Sequence, residues 1–115
     1  MTQPDCLFCK IVRREIPAAL LFENDDVLAF NDINAQAPSH VLVIPKRHVT
    51  SLDDLGDSDG GLAGALLLGA QRAARERGLA AGYRTVINTG GDAGQSVAHV
   101  HVHVLGGRHL KWPPG

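Results

Sequence analysis

Residues His99 to Leu105 read His-Val-His-Val-His-Val-Leu, and this run constrains the fold more than any other stretch of the chain. Valine is β-branched and suits a pleated strand, where successive side chains point to opposite faces. The spacing therefore predicts a strand with His99, His101 and His103 on one face and Val100, Val102 and Val104 on the other. At roughly 3.3 Å per residue the three imidazoles span about 13 Å. A lone histidine on a strand is usually a surface residue. Three on one face against pure valine do not resemble a solvated face, where Thr, Lys, Glu and Ser would be mixed in. Imidazole changes charge near neutral pH, so the row is a candidate nucleophile, proton shuttle or metal platform.

The chain has 115 residues, which suits one domain over 1–115 with a modest core. A formal net charge of −1 supplies no basic field for nucleic acid or a membrane surface. A bound phosphate would be held by backbone amides, histidines and hydroxyls. No charged segment followed by an apolar run marks a secretory signal, and no stretch approaches the roughly 18 apolar residues of a membrane span. A soluble cytoplasmic protein is expected, with both cysteines reduced.

Hydrophobic periodicity and turn residues divide the chain coarsely. Leu7 to Arg14 reads as a short helix stopped before Pro17. Leu20 to Glu23 and Val27 to Asn31 read as strands joined by the turn Asn24-Asp25-Asp26. His40 to Pro45 is a third strand, and Leu55 to Asp59 is loop and helix cap. Leu62 to Arg77 is the long helix, with Gly78 as its stop signal. Tyr83 to Asn88 is a strand, Thr89 to Val97 a glycine-rich loop, and His99 to Gly106 the last strand. Short turns favour antiparallel pairing, which gives an α+β fold with a helix packed on the sheet.

Two further motifs carry chemistry. Cys6-Leu-Phe-Cys9 places two thiols at metal-ligand spacing. Structural zinc, a redox dithiol and two small apolar residues all remain open readings; no strand precedes the pair, unlike a thioredoxin-type motif. Asn88-Thr-Gly-Gly-Asp-Ala-Gly-Gln-Ser96 directly precedes the histidines. Its glycines let backbone amides approach a ligand closely, and Ser96 adds a hydroxyl. Alone such a loop is a flexible connection; beside three histidines it suggests phosphoryl chemistry. The central histidine, His101, would attack phosphorus and form a phospho-histidine intermediate that water releases. His103 would pass a proton or hold an oxygen, while loop amides and Ser96 stabilise charge.

His99-Val-His-Val-His-Val-Leu105 resembles the signature of the histidine triad (HIT) superfamily of nucleotidyl hydrolases and transferases. Phe30-Asn-Asp-Ile33, Ala37-Pro-Ser-His-Val-Leu-Val-Ile-Pro-Lys-Arg-His48, Gly94-Gln-Ser96 and Gly106-Gly-Arg-His-Leu-Lys-Trp-Pro-Pro-Gly115 are similar to its Hint branch. The resemblance implies a five-stranded antiparallel sheet with one long helix and a short N-terminal helix. It also implies a homodimer whose sheets join into one of ten strands. The small residues of the long helix (Gly64, Ala65, Gly69, Ala70, Ala73, Ala74) are compatible with close packing there.

Position by position, the resemblance makes His101 the nucleophile, oriented by the His99 carbonyl, and sets His103 at the phosphate or leaving group. Asn88, Gly94, Gln95, Ser96 and Val97 match the phosphate-side loop. Asp32 matches the ribose carboxylate, Phe30 and Ile33 the purine pocket, and His40 a further histidine near the triad. Trp112 would reach the neighbouring subunit's site. Some bacterial triad proteins and the related galactose-1-phosphate uridylyltransferases hold zinc through a Cys-x-x-Cys pair and two histidines; the matching positions are Cys6, Cys9, His48 and His99. Well-known animal Hint proteins lack these cysteines. The implied function is a purine nucleoside phosphoramidase that cleaves P–N bonds of AMP or GMP phosphoramidates. The alternatives are a dinucleoside polyphosphate hydrolase of the Fhit kind and a purine-nucleotide-binding scaffold with incidental hydrolysis.

Overall fold

The computed structural model describes residues 3–115. Five strands form one antiparallel sheet: β1 (Leu20–Glu23), β2 (Val27–Asn31), β3 (Ser39–Pro45), β4 (Tyr83–Val86) and β5 (Val102–Gly106), in the order β1-β2-β3-β5-β4. A short helix α1 (Leu7–Val12) lies on one face and the long helix α2 (Gly60–Glu76) on the other. Between β3 and α2 lie two short 3-10 turns, Leu52–Asp54 and Asp57–Asp59, where the sequence predicts loop and cap.

Strand alternation divides the apolar residues between two cores. Val27, Ala29, Val41, Val43, Val102 and Val104 pack with α2, whereas Leu28, Phe30, Leu42 and Ile44 pack with Phe8 and Ile11 of α1. In α2, Leu66, Gly69, Ala70, Ala73 and Ala74 are buried at i, i+3/4, i+7/8 spacing. A Cβ added to Gly69 would lie 3.0 Å from Val43 Cγ1, so glycine sets how closely α2 meets the sheet. Four of the six small residues of this helix are thus accounted for within this chain. Gly69, Ala70, Ala73 and Ala74 face this chain's own strands, because only small side chains let helix and sheet approach so closely. The helix ends at Gly78, whose φ of +68° is left-handed as a C-terminal glycine requires.

The last strand is shorter than the alternation predicts. It begins at Val102, leaving His99, Val100 and His101 outside the ladder. The register with β3 ends at Val43 opposite Val102. Pro45 has no N–H with which to extend it. Instead the segment is held by the chain that follows β3: Val100 N–H donates to the Val49 carbonyl at 2.7 Å, and a His99 ring nitrogen to the Pro45 carbonyl at 2.9 Å. The alternation of faces survives without the ladder, since Val100 joins the α2 core while His99 and His101 meet Phe8 of α1. Tyr83 to Asn88 likewise shortens to Tyr83–Val86.

Candidate active site

His101 is buried, and its Nδ1–H donates to the His99 carbonyl at 2.8 Å. That bond fixes the tautomer and leaves Nε2 with a free lone pair. The edge of the ring is also met by Phe8, centroid to centroid 5.2 Å at 87°. Phe8 lies between the two cysteines and was not singled out in the sequence. Its place on α1 between two candidate ligands is the signal that could have found it.

A second imidazole chain runs beside it. Gln36 N–H donates to His40 Nδ1 at 3.0 Å, so that nitrogen is an acceptor and the proton of neutral His40 sits on Nε2. His40 Nε2–H then donates to His103 Nδ1 at 2.9 Å, with Asp32 Oδ2 at 3.4 Å from the same His40 nitrogen. His103 is left with its proton on Nε2, a buried donor with no partner among the described residues. Burial pushes the His103 pKa down to about 4, helped by the neighbouring His101 and His40. Burial also lowers that of His40, against the pull of Asp32. Both rings are therefore neutral at pH 7, as the tautomer chain requires. The backbone of Gln36 is the member that sequence reasoning missed, and no side-chain pattern encodes it.

A cavity of about 490 Å³ adjoins these rings. Phe8, Ile11, Phe30, Ile33 and Leu42 give it an apolar end, and Asp32, His40, Ser96, His101 and His103 a polar one. Val97 also lines it. Asn88, Gly94 and Gln95 are not among the lining residues, and Gln95 spends its side-chain amide on backbone groups. Ile33 is fully exposed at the rim. Trp112 is exposed and does not line the cavity; it lies on a terminal segment tied to β4 by Arg84, which donates to the Lys111 carbonyl at 2.8 Å. A larger hollow of about 610 Å³ lies between residues 78–84 and 107–110. It contains none of the three triad histidines.

Cys6, Cys9, His48 and His99 converge on the other side of His101, with one donor atom from each within 4.8 Å of all the others. Cys6 Sγ lies 3.4 Å from His99 Nδ1, and Cys9 Sγ lies 3.2 Å from His48 Nδ1 and 3.5 Å from His99 Nδ1. Tetrahedral zinc with bonds of about 2.3 Å to sulfur and about 2.0 Å to nitrogen sets those ligands about 3.5 Å apart. The far nitrogen of His99 donates to the Pro45 carbonyl, which turns the Nδ1 lone pair toward the sulfurs. Burial holds the His99 pKa at about 4, so the ring is neutral as a ligand must be. Burial pushes the Cys9 thiol up, and a nearby cation is what would favour its thiolate. The donor set fits zinc. His99 thus faces the cysteines with its ring and His101 with its carbonyl, and its ring is not in the cavity.

Comparison with known proteins agrees with this geometry. The HIT domain family model matches residues 13–110. The chain is 52% identical over 111 residues to an uncharacterized HIT-like protein of Synechococcus elongatus, covering 96% of this chain and 97% of that one. It is 48% identical over 111 residues to a 14 kDa zinc-binding protein of Zea mays, covering 95% and 87%. The crystal structure of a HIT family hydrolase from Legionella pneumophila superposes with a TM-score of 0.94 at 48% identity, covering 96% of this chain and all of that one. A histidine triad protein from Clostridium difficile superposes with 0.93 at 43% identity, covering 96% and 97%. Its sheet, its histidines and these relatives agree: the chain belongs to the HIT domain family.

Proposed function

We propose that this HIT-family, hydrolase-like protein is a purine nucleoside phosphoramidase acting through a nucleotidyl-His101 intermediate. The observation that carries this reading is the pair of complementary ring atoms at one cavity: a free lone pair on His101 Nε2 and an unpartnered N–H on His103 Nε2. His101 Nε2 attacks the α-phosphorus, and the P–N bond breaks as the departing amine takes a proton from solvent, while His103 Nε2–H donates a hydrogen bond to a phosphoryl oxygen. Water then attacks the phosphorus of the nucleotidyl-histidine. The water's proton is released to solvent, and the nucleoside monophosphate leaves with His101 restored. A neutral N–H donor beside the nucleophile suits a phosphoryl oxygen that gains charge as phosphorus is attacked. Ser96 at the polar end supplies a hydroxyl for the phosphoryl oxygens. The wall of Phe30 and Ile33 suits a purine, and Asp32 retains acceptor lone pairs for ribose hydroxyls.

In this reading zinc is held by Cys6, Cys9, His48 and His99 and supplies a structural clamp between α1 and the segment carrying His101. Reduced cysteines suit a cytoplasmic setting. We also read the protein as a homodimer. β4 pairs only with β5 and leaves one edge of the sheet open, and Leu67 and Leu68 are exposed on α2. No helix among the described residues is long and apolar enough to cross a membrane.

The test is a substrate panel of adenosine and guanosine 5′-phosphoramidates, diadenosine polyphosphates and AMP, run on wild type and His101→Ala. Phosphoramidates should be preferred, and His101→Ala should abolish turnover while AMP still binds. Preference for the polyphosphates would favour the Fhit-type hydrolase, and binding without turnover a scaffold; either outcome overturns the proposal.

A further inference from the structure

Gln95 uses every polar position of its side chain, and none of those bonds enters the cavity. Its Oε1 accepts from Gly90 N–H at 2.9 Å. Its Nε2 donates to the Thr50 carbonyl at 2.7 Å and to the Val97 carbonyl at 3.0 Å. The backbone N–H of Gln95 also donates to the Gly90 carbonyl at 3.1 Å. Gly90 and Gln95 are thus joined twice, closing a turn that both Gly90 and Gly94 enter at a φ of +84°. The two outward N–H groups reach Thr50, two residues beyond His48, and Val97, two residues before His99. Ser96 sits between the two anchored residues, and Ser96 and Val97 line the cavity.

Only a primary amide accepts one bond and donates two in this arrangement. A carboxylate would keep the acceptor for Gly90 N–H but set its second oxygen against the Thr50 and Val97 carbonyls. Thr50 and Val97 are fixed relative to the rest of the fold through their own segments, since Val49 accepts from Val100 N–H. The glycine turn has no apolar core of its own; none of its residues is buried. The amide of Gln95 is therefore the main tie between that turn and the body of the protein.

We propose that Gln95 is a positioning residue: it staples the glycine turn to the segment after β3 and so holds Ser96 at the cavity before substrate arrives. The proposal rests on the phosphoramidase reading for its effect on rate, but the staple itself exists in the ligand-free protein. A residue that contacts phosphate directly would instead contribute to nucleotide affinity.

Two variants test this. Gln95→Glu keeps the acceptor for Gly90 N–H and removes both donations. Gln95→Met keeps the volume and removes all three bonds. The readouts are amide exchange of Gly90 in the ligand-free protein, the dissociation constant of AMP, and kcat and KM for an adenosine phosphoramidate. In both variants kcat should fall about 10- to 100-fold, the scale of a misplaced catalytic group. AMP affinity should fall by no more than about threefold, since the Phe30 and Ile33 wall, Asp32 and His103 keep their contacts and only the Ser96 hydroxyl is displaced. Gly90 exchange should accelerate in Gln95→Met and remain slow in Gln95→Glu. AMP affinity falling in step with kcat, an unchanged kcat, or Gly90 exchange equal in wild type and Gln95→Met would each overturn the proposal. If wild type hydrolyses no phosphoramidate, the reaction reading fails, and Gly90 exchange with AMP affinity still decides the staple.

Discussion

Two clusters of ionisable side chains flank His101, and they look alike in composition but hold different things. Cys6, Cys9, His48 and His99 form one, and Asp32, His40 and His103 the other; each brings its donor atoms within 4.8 Å. What separates them is where neighbouring backbone groups place the ring protons. The Pro45 carbonyl accepts a hydrogen bond from His99 Nε2–H, which leaves the Nδ1 lone pair facing two sulfurs. Gln36 N–H instead occupies the His40 Nδ1 lone pair and sends the His40 proton into the middle of its cluster. The first centre is open to a soft cation, whereas the second is already filled by a proton.

The largest effect should follow from emptying the first cluster. Protein purified without added zinc should carry one zinc per chain, and Cys6→Ser/Cys9→Ser none, with a Tm lower by about 10 °C or more. Elemental analysis and calorimetry measure both. Two zinc ions per chain would show that the Asp32 cluster also takes metal and would break the distinction. A smaller effect is expected from His40→Phe, which keeps a ring but removes the N–H that fixes the His103 tautomer. Turnover should drop about 10- to 100-fold, as for other residues that orient a reacting group, with zinc content unchanged. Unchanged turnover would remove His40 from the account.

The smallest expected effect is in stability against pH. The folded His103 pKa of about 4 lies below its ordinary 6.5, so the unfolded chain binds more protons between those values. The stability that neutral His103 contributes is full above about pH 6.5 and is lost as pH falls toward 4. Denaturant titrations of zinc-loaded wild type and His103→Gln should show a shallower loss in the variant across that window. Parallel curves would mean that His103 is not held neutral by burial.

Much of this was legible because it depends on local rules. β1 and β2 have the bounds their turn residues predict, and α2 differs from its expected span by one or two residues per end. The two faces of the His-Val run were legible from alternation alone. Its ladder was not, because where β5 pairs depends on Pro45, more than fifty residues away in sequence. The four zinc-type ligands were named through resemblance, since no local spacing joins Cys6 to His48 or His99. Phe8, the Gln36 amide and the Gln95 staple were missed in these roles for the same physical reason. Each acts through groups that only the tertiary fold brings near.

The central claim is that His101 becomes covalently nucleotidylated. Rapid acid-free quenching of wild type with an adenosine phosphoramidate, followed by mass spectrometry of the peptide containing residues 99–105, tests it most directly. The expected result is an adenylyl group on His101 that forms within a single turnover and is absent from His101→Ala. Turnover with no adduct, or an adduct on His99 or His103 that persists in His101→Ala, would contradict it.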